Sequence, residues 1–496
     1  MKTNSLDFDA QALREKILDL AMRGKLIKQD PNDEPASVLL EKIKAEKAEL
    51  VKEGKIKKSK SLPEVTDEEK PFDIPDSWEW VRLGDVVEIK GGKRVPKGKK
   101  LSDQKSYCPY IRVADMSNNT IQIKNLKYVN KEIYDQIHNY TITADDLYFS
   151  IAGTIGKVGR VPQSLNGALL TENAAKITSY QINLNYLVQI LKSPIVAQQH
   201  SRILSKVAQP KLSLIKLKQT FIPLPPLSEQ SRIAAKIAQL FALLRKVESS
   251  TQQYAKLQTL LKSKVLDLAM RGKLVKQDPN DEPASVLLEK IKAEKEQLIK
   301  EKKIKKSKPL PPITDEEKPF EIPDSWKWVR LGDIGAWAAG ATPSRKHPEY
   351  YGGTIPWLKT GDLNDGIVNE TSEKITELGV KNSSVKVNEP GNVLIAMYGA
   401  TIGKLGIVGN QELVTNQACC GCSLFDGVHN WYLFYYLLAS RKRLIDLGSG
   451  GAQPNISKNK IEKFTFPLPP LEEQNRIVTK VERLFALLGK SAKSPL

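Results

Sequence analysis

Three sets of residues have types and spacings that could do chemistry. Pro75-Asp76 followed by Glu88-Ile-Lys90 has the carboxylates and lysine of a metal-dependent nuclease core, in which the acids hold a divalent cation and the lysine serves the attacking water. A second copy of this segment keeps Pro323-Asp324 but has Ala336 and Ala338 where the Glu and Lys should be. Asp76 and Asp324 therefore read as turn or cap residues. Cys419-Cys-Gly-Cys422 could suggest a metal site, but no second Cys or His pair stands at ligand spacing, so these and Cys108 are expected to be ordinary strand residues. Gly153-Thr-Ile-Gly-Lys157 and Gly399-Ala-Thr-Ile-Gly-Lys404 lack the spacing and the hydroxyl of a phosphate-binding loop and are expected to be tight turns. No catalytic residue, metal ligand or cofactor-binding residue is expected in this chain.

Charge points to a binding role. The 496 residues carry 76 basic against 57 acidic side chains, a net charge of +19. Such an excess favours a polyanionic partner through counterion release, although charge alone fits a ribosomal or membrane-surface partner equally well. The polar start, the lack of any apolar run near about 18 residues and the four scattered or clustered cysteines lead to an expectation of a cytoplasmic protein with no membrane partner.

The element that must position any binding residue runs from Leu224 to Lys273. Ile233, Leu240, Val247, Tyr254, Leu261 and Leu268 recur every seven residues, with Ile237, Leu244 and Val265 on a companion seam, and no Pro or Gly interrupts the stretch between Pro226 and Gly272. The pattern predicts a coiled-coil strut of roughly 65–70 Å, which needs a partner helix. That partner is present in two pieces. Phe466-Pro-Leu-Pro-Pro-Leu-Glu-Glu-Gln-Asn-Arg-Ile477 copies Ile222–Ile233, the first half of the strut, and Ile17–Leu26 copies Val265–Leu274, the second half. Joining the N- and C-terminal helices rebuilds the missing strut, antiparallel to the first.

The whole chain is a tandem repeat with a period of about 248 residues. Leu18–Lys47 and Leu266–Lys295 differ only at Ile27 versus Val275, and the likeness continues to Ile74–Asp85 and Ile322–Asp333. From about 90 to 208 and about 338 to 452 the copies diverge, with scattered anchors: Asp115 with Asp362, Thr171-Glu-Asn173 with Thr415-Asn-Gln417, Ala208-Gln-Pro210 with Ala452-Gln-Pro454. Ala144–Ile151 and Gly391–Met397 read as strands, and Asn183–Gln199 and Asn430–Leu444 as helices. The fold class is α+β: two mixed α/β domains of one fold separated by a long antiparallel helical coiled coil, with pseudo-two-fold symmetry. Near-identical segments suit binding one partner twice, and divergent domains suit binding two different things. Two-fold symmetric readers match the roughly 34–36 Å repeat of B-DNA, so two unlike half-sites with an unread gap are expected.

Ile-Pro-Asp-Ser-Trp-x-Trp-Val-Arg-Leu-Gly-Asp at 74 and 322, Ala-Gln-Pro at 208 and 452, Pro-Leu-Pro-Pro-Leu-x-Glu-Gln-x-Arg-Ile at 223 and 467, and Leu-Asp-Leu-Ala-Met-Arg-Gly-Lys-Leu at 18 and 266 together resemble the specificity subunit of a type I restriction-modification enzyme. The resemblance implies a helical region over 1–70, a first target-recognition domain over 71–210, a central helical region over 211–318, a second target-recognition domain over 319–455 and a C-terminal helix over 456–496. It also implies partners: double-stranded DNA, two modification (methyltransferase) subunits and restriction subunits joined through them. S-adenosylmethionine, ATP and Mg would sit on those partners, with no cofactor in this chain. The missing Asn-Pro-Pro-Tyr/Phe motif agrees that the chain is not itself an enzyme. The competing reading is a non-enzymatic two-domain coiled-coil scaffold for other proteins.

Within the divergent domains, Gly91-Gly-Lys-Arg-Val-Pro-Lys97 and its counterpart Gly340-Ala-Thr-Pro-Ser-Arg-Lys346 are the candidate DNA-contacting loops. Arg reads guanine, Asn or Gln reads adenine, and Lys or Arg contacts phosphate. Arg94 and Arg345 are the expected base readers, with Lys93, Lys97 and Lys346 on phosphates and Thr342 and Ser344 beside them. Lys157 and Lys404 are expected phosphate contacts, and Gln209, Lys211, Gln453 and Asn455 complete the set. Trp78, Trp80, Trp326 and Trp328 are expected to pack between linker and domain rather than stack on bases. The near-identical charged segments 18–60 and 266–308 are the expected docking surface for the methyltransferase subunits.

Overall fold

A computed structural model describes residues 8–58, 61–204, 210–448 and 455–489. The chain divides into two compact units, Met1–Thr251 and Gln252–Leu496. The long helix is a single element of 44 residues, Leu227–Met270, roughly 66 Å long at 1.5 Å per residue, and its two halves belong to different units.

Its end shows why the repeated Ala-Met-Arg-Gly-Lys-Leu exists. Gly272 takes φ +66°, Lys273 N–H donates to Leu268 O at 2.8 Å and Gly272 N–H to Ala269 O at 3.2 Å, a Schellman cap that satisfies the last carbonyls. Helix Ala10–Met22 ends in the same way at Gly24, φ +66°, with Lys25 N–H on Leu20 O. A Cβ at either glycine would also stand 2.4 Å from a proline ring carbon, Pro75 or Pro323.

Burial along the long helix departs from an even heptad seam. Ile233 and Ile237 are fully buried and Leu244 nearly so, but Val247, Tyr254 and Leu261 are about half exposed, and at the far end Leu266, Ala269 and Met270 are buried while Val265 and Leu268 are only half-buried. The reason is that each end packs into the core of its own unit: Ile233 and Ile237 join the first, and Leu266, Ala269 and Met270 the second.

In the first unit an antiparallel ribbon pairs Glu79–Arg82 with Phe221–Leu224, tying the tryptophan motif to the Pro-Leu-Pro-Pro segment. Lys327–Arg330 pairs with Thr465–Leu468 in the same register in the second. The Pro-rich linkers are held by these ribbons. Arg82 donates to the carbonyls of Pro63, Glu64 and Gln219 and to Glu69, and Arg330 to Pro311, Pro312, Lys463 and Glu317.

Each divergent region forms two larger sheets, and the first adds a two-stranded hairpin of Met116–Ser117 with Thr120–Ile121. The first has the order Val87–Gly91, Ala174–Ser179, Asp146–Ser150, Val158–Arg160 in one sheet, and Lys127–Val129, Cys108–Ile111, Ala168–Leu170, Thr141–Ile142 in the other. The second repeats both orders and adds Gly366–Val368 as a fifth strand beside Leu405–Val408. Cys419, Cys420 and Cys422 are buried on strand Cys419–Leu424, where burial raises their thiol pKa values. The two expected helices are each broken. One becomes Leu184–Leu191 and Pro194–Leu204, because Pro194 cannot donate to the preceding turn; the other becomes Asn430–Ala439 and Arg441–Gly448.

The charged helices Ala36–Lys52 and Ala284–Lys300 are amphipathic rather than wholly exposed. Ala36, Leu39 and Ile43 are buried, as are Ala284, Leu287 and Ile291. Their outward faces match: Val38 and Val286 are about 40% exposed, Glu34 pairs with Lys42 as Glu282 does with Lys290, and Glu41 with Lys44 as Glu289 does with Lys292.

Candidate nucleic-acid interface

The two loops grow from the same backbone frame. Leaving strand Val87–Gly91, Gly92 N–H donates to Ala174 O at 3.0 Å and Lys93 N–H to Leu170 O at 2.9 Å; leaving strand Gly335–Ala339, Gly340 N–H donates to Cys419 O and Ala341 N–H to Thr415 O at the same distances. A Cβ on Gly92 would lie 2.2 Å from Thr171 O, and one on Gly340 2.2 Å from Thr415 O. Only glycine permits this approach. An aromatic donor then holds each loop. The Tyr110 hydroxyl donates to Lys93 O at 2.8 Å, and the Trp357 indole donates to Ala341 O at 3.2 Å.

The turns stand beside these loops. Ser150 N–H donates to Lys157 O and Ala396 N–H to Lys404 O, both at 2.9 Å, and Gly153, Gly156, Gly399 and Gly403 all take positive φ. Ile151 N–H reaches Asn173 O and Met397 N–H reaches Ala418 O, while Ala152 bridges Lys211 and Tyr398 bridges Asn455. In each unit the loop, the turn, the strand connection and the residue after Ala-Gln-Pro thus converge on one edge.

These bonds correct the alignment of the copies. Ala174 matches Cys419 and Leu170 matches Thr415, so Thr171 corresponds to Asn416 and Glu172 to Gln417. The shared threonine drew the sequence alignment one residue out. By the same frame Arg94 corresponds to Thr342.

The expected site residues fare differently. Arg94 is 79% exposed, and its Nε donates to Glu172 Oε1 at 2.6 Å, which raises the arginine pKa. Lys93 is exposed, with its ammonium 5.5 Å from the Tyr140 ring centre. Lys97, Lys211, Ser344, Lys346 and Asn455 are exposed, and Thr342 Oγ1 donates to Gln417 Oε1. Arg345 is held more closely: it forks onto Glu373 at 2.6 and 3.0 Å, and its guanidinium lies 4.0 Å from the Tyr351 ring centre and 5.3 Å from that of Trp357. Hydrogen bonds from Arg345 keep the Glu373 carboxyl below its ordinary range. Lys157 is half-buried and turned onto Val113 O at 3.1 Å, and Lys404 is half-buried. Gln209 and Gln453 lie outside the described residues.

Glu172, Gln417 and Glu373 were not among the expected site residues. Glu172 and Gln417 lie in the aligned anchors, so their positions carried a signal. Glu373 is 28 residues from Arg345, on strand Glu373–Ile375 while Arg345 lies in the loop, and no local pattern links the two.

The tryptophans pack internally. Trp78 and Trp326 are buried and donate from Nε1 to Glu229 and Glu473, which are themselves buried and also accept from Gln29 and Gln277. Trp80 packs on Phe72 and Phe221, and Trp328 on Phe320. Asp76 is exposed in the turn before Trp78, and Lys90 pairs with Glu88 at 2.9 Å. Among the described residues no helix is long and apolar enough to cross a membrane.

Comparison with known proteins was consistent across three kinds of likeness. The family model described as the type I restriction modification DNA specificity domain matches residues 75–258 and 323–493. The chain is 34% identical to the type I restriction enzyme EcoAI specificity subunit of Escherichia coli, over 97% of this chain and 90% of that one, and 30% identical to the EcoEI specificity subunit of the same organism, over 96% and 89%. The crystal structure of the HsdS subunit from Thermoanaerobacter tengcongensis shares the fold with a TM-score of 0.52 at 21% identity, over 86% of this chain and 94% of that one.

Proposed function

The chain belongs to the family of type I restriction-modification DNA specificity subunits, and on that premise we propose that each loop edge reads one half of an asymmetric bipartite DNA site. The observation that carries this reading is a shared frame with unshared side chains. The backbone around Gly92 and Gly340 is bonded identically, yet it presents Lys93, Arg94 and Lys97 in one copy and Thr342, Ser344, Arg345 and Lys346 in the other. Such a surface suits one mode of approach to two different sequences. Lys93, Lys97, Lys211 and Lys346 contact phosphates and fix position, with Lys157 and Lys404 reaching the backbone at the turns; Arg94 and Arg345 face base edges, with Asn455 beside them. For Arg345 this requires release from Glu373.

The repeated helices set the spacing between half-sites through a coiled coil of the central helix and the joined terminal helices. The near-identical outward faces of Ala36–Lys52 and Ala284–Lys300, which differ at exposed Ala48 versus Glu296 and Glu49 versus Gln297, each dock one methyltransferase subunit, and restriction subunits join through these. S-adenosylmethionine, ATP and Mg serve the partners, and this chain supplies recognition for both methylation and restriction without catalysis of its own.

The test is to co-express the chain with its modification subunit and map methylated adenines across a genome. One asymmetric bipartite motif is expected, with one half changed when residues 90–208 are exchanged for another such domain. Absence of any motif, together with no salt-sensitive DNA binding by the purified complex, would overturn the reading.

A further inference from the structure

The corrected alignment brings together two side-chain pairs that sequence spacing had kept apart. Arg94 and Thr342 occupy one backbone position, Glu172 and Gln417 another, and in each copy the two residues hydrogen-bond to each other across the loop edge. Resting on the reading that these edges face DNA, we propose that the two pairs are matched specificity determinants. Arg94 with Glu172 selects a G·C base pair in one half-site, and Thr342 with Gln417 selects an A·T base pair in the other.

The chemistry of the pairs carries the assignment. Arginine forks onto guanine O6 and N7 while a carboxylate accepts from cytosine N4, so Arg with Glu complements both members of G·C. Glutamine is bidentate to adenine N6 and N7 while a threonine methyl contacts the thymine methyl, so Thr with Gln complements A·T. Both pairs keep a reading end available. Arg94 uses Nε for Glu172, and its terminal nitrogens make no hydrogen bond among the described residues. Thr342 and Gln417 are both exposed.

The pairs are also held in place. Glu172 Oε2 accepts from Thr171 Oγ1 at 3.0 Å, and Tyr398 lies beside Gln417. Beneath each pair the glycine packs against the strand connection that carries the second residue, so loop and connection cannot shift independently. One pair is charged and the other neutral on the same frame, which suits two different base pairs.

The test uses the full chain with its modification subunit and the same methylation map. The double variant Arg94→Thr, Glu172→Gln is expected to move the preference at one base pair of one half-site from G·C toward A·T by roughly ten- to a hundredfold, leaving the other half unchanged. Thr342→Arg with Gln417→Glu is expected to do the reverse in the other half. Glu172→Gln alone, which keeps the arginine, is expected to loosen the preference at that same position. A motif unchanged by all three variants, or methylation lost evenly over both halves from a complex that assembles and melts like the parent, would overturn the proposal. A parent complex that yields no bipartite motif would instead sink the functional reading beneath it, so the two failures are distinguishable.

Discussion

Trp326 and Glu473 lie 147 residues apart in sequence and meet at 2.8 Å, indole N–H to carboxylate, with both groups buried. Trp78 and Glu229 repeat the contact at 2.9 Å. Burial raises the Glu473 pKa, so the indole and Gln277 donors offset a real desolvation cost. Trp326→Phe removes one donor and leaves the carboxylate underserved, at a cost of about 1–3 kcal/mol. Denaturant unfolding of the variant measures this, and an unchanged DNA motif is expected because the ring packs internally.

Gly92→Ala places a methyl against Thr171 O and forces the first loop off its frame. Recognition of one half-site is expected to fall at least about tenfold, on the scale of one lost base contact, with the second half intact. Gly340→Ala is expected to mirror this in the other half. Competition binding with half-site mutants distinguishes the two.

Lys97 is exposed and close to the reading loop, so its expected role is to neutralise a phosphate. Lys97→Ala is expected to weaken binding to all sequences alike and to lower the slope of log affinity against log salt by about 1. A salt titration with specific and random duplexes provides the measurement.

Docking is best probed without deleting the charged helices, because Leu39, Ile43, Leu287 and Ile291 are part of the cores. Val38→Asp together with Val286→Asp alters only the outward faces. Both methyltransferase subunits are expected to dissociate from a folded chain, whereas either single variant leaves one bound. Native mass spectrometry counts them.

His200 is 5% exposed, with Nε2 2.9 Å from Thr220 Oγ1 and its ring edge-on to Phe149, and burial pushes its pKa down to about 4. The unfolded chain, with an ordinary value near about 6.5, binds this proton more readily. Stability from this site is therefore full above about pH 6.5 and falls as pH drops toward 4, by about 3 kcal/mol in total. His200→Gln is expected to flatten that part of the pH–stability curve, read by thermal melts between pH 4 and 7 on the order of one melt per half unit.

The sequence by itself determined the repeat, the long helix and the edges of the variable regions. These are written in local signals: an uninterrupted run to Gly272, glycines where φ must be positive, and duplicated segments that keep the same caps and cores. The roles of the tryptophans and the cysteines were legible for the same reason, since alternation and β-rich surroundings mark buried strands. Only the tertiary structure decided which residues meet. Glu373 reaches the loop residue Arg345 from a separate strand, and the hydrogen-bond register sets Glu172 against Gln417 although the shared threonine suggests otherwise. Burial along the long helix was also decided there, because its ends pack into two separate cores. Pairing across sheets depends on register, and a shift of one residue changes every partner while leaving composition and periodicity untouched.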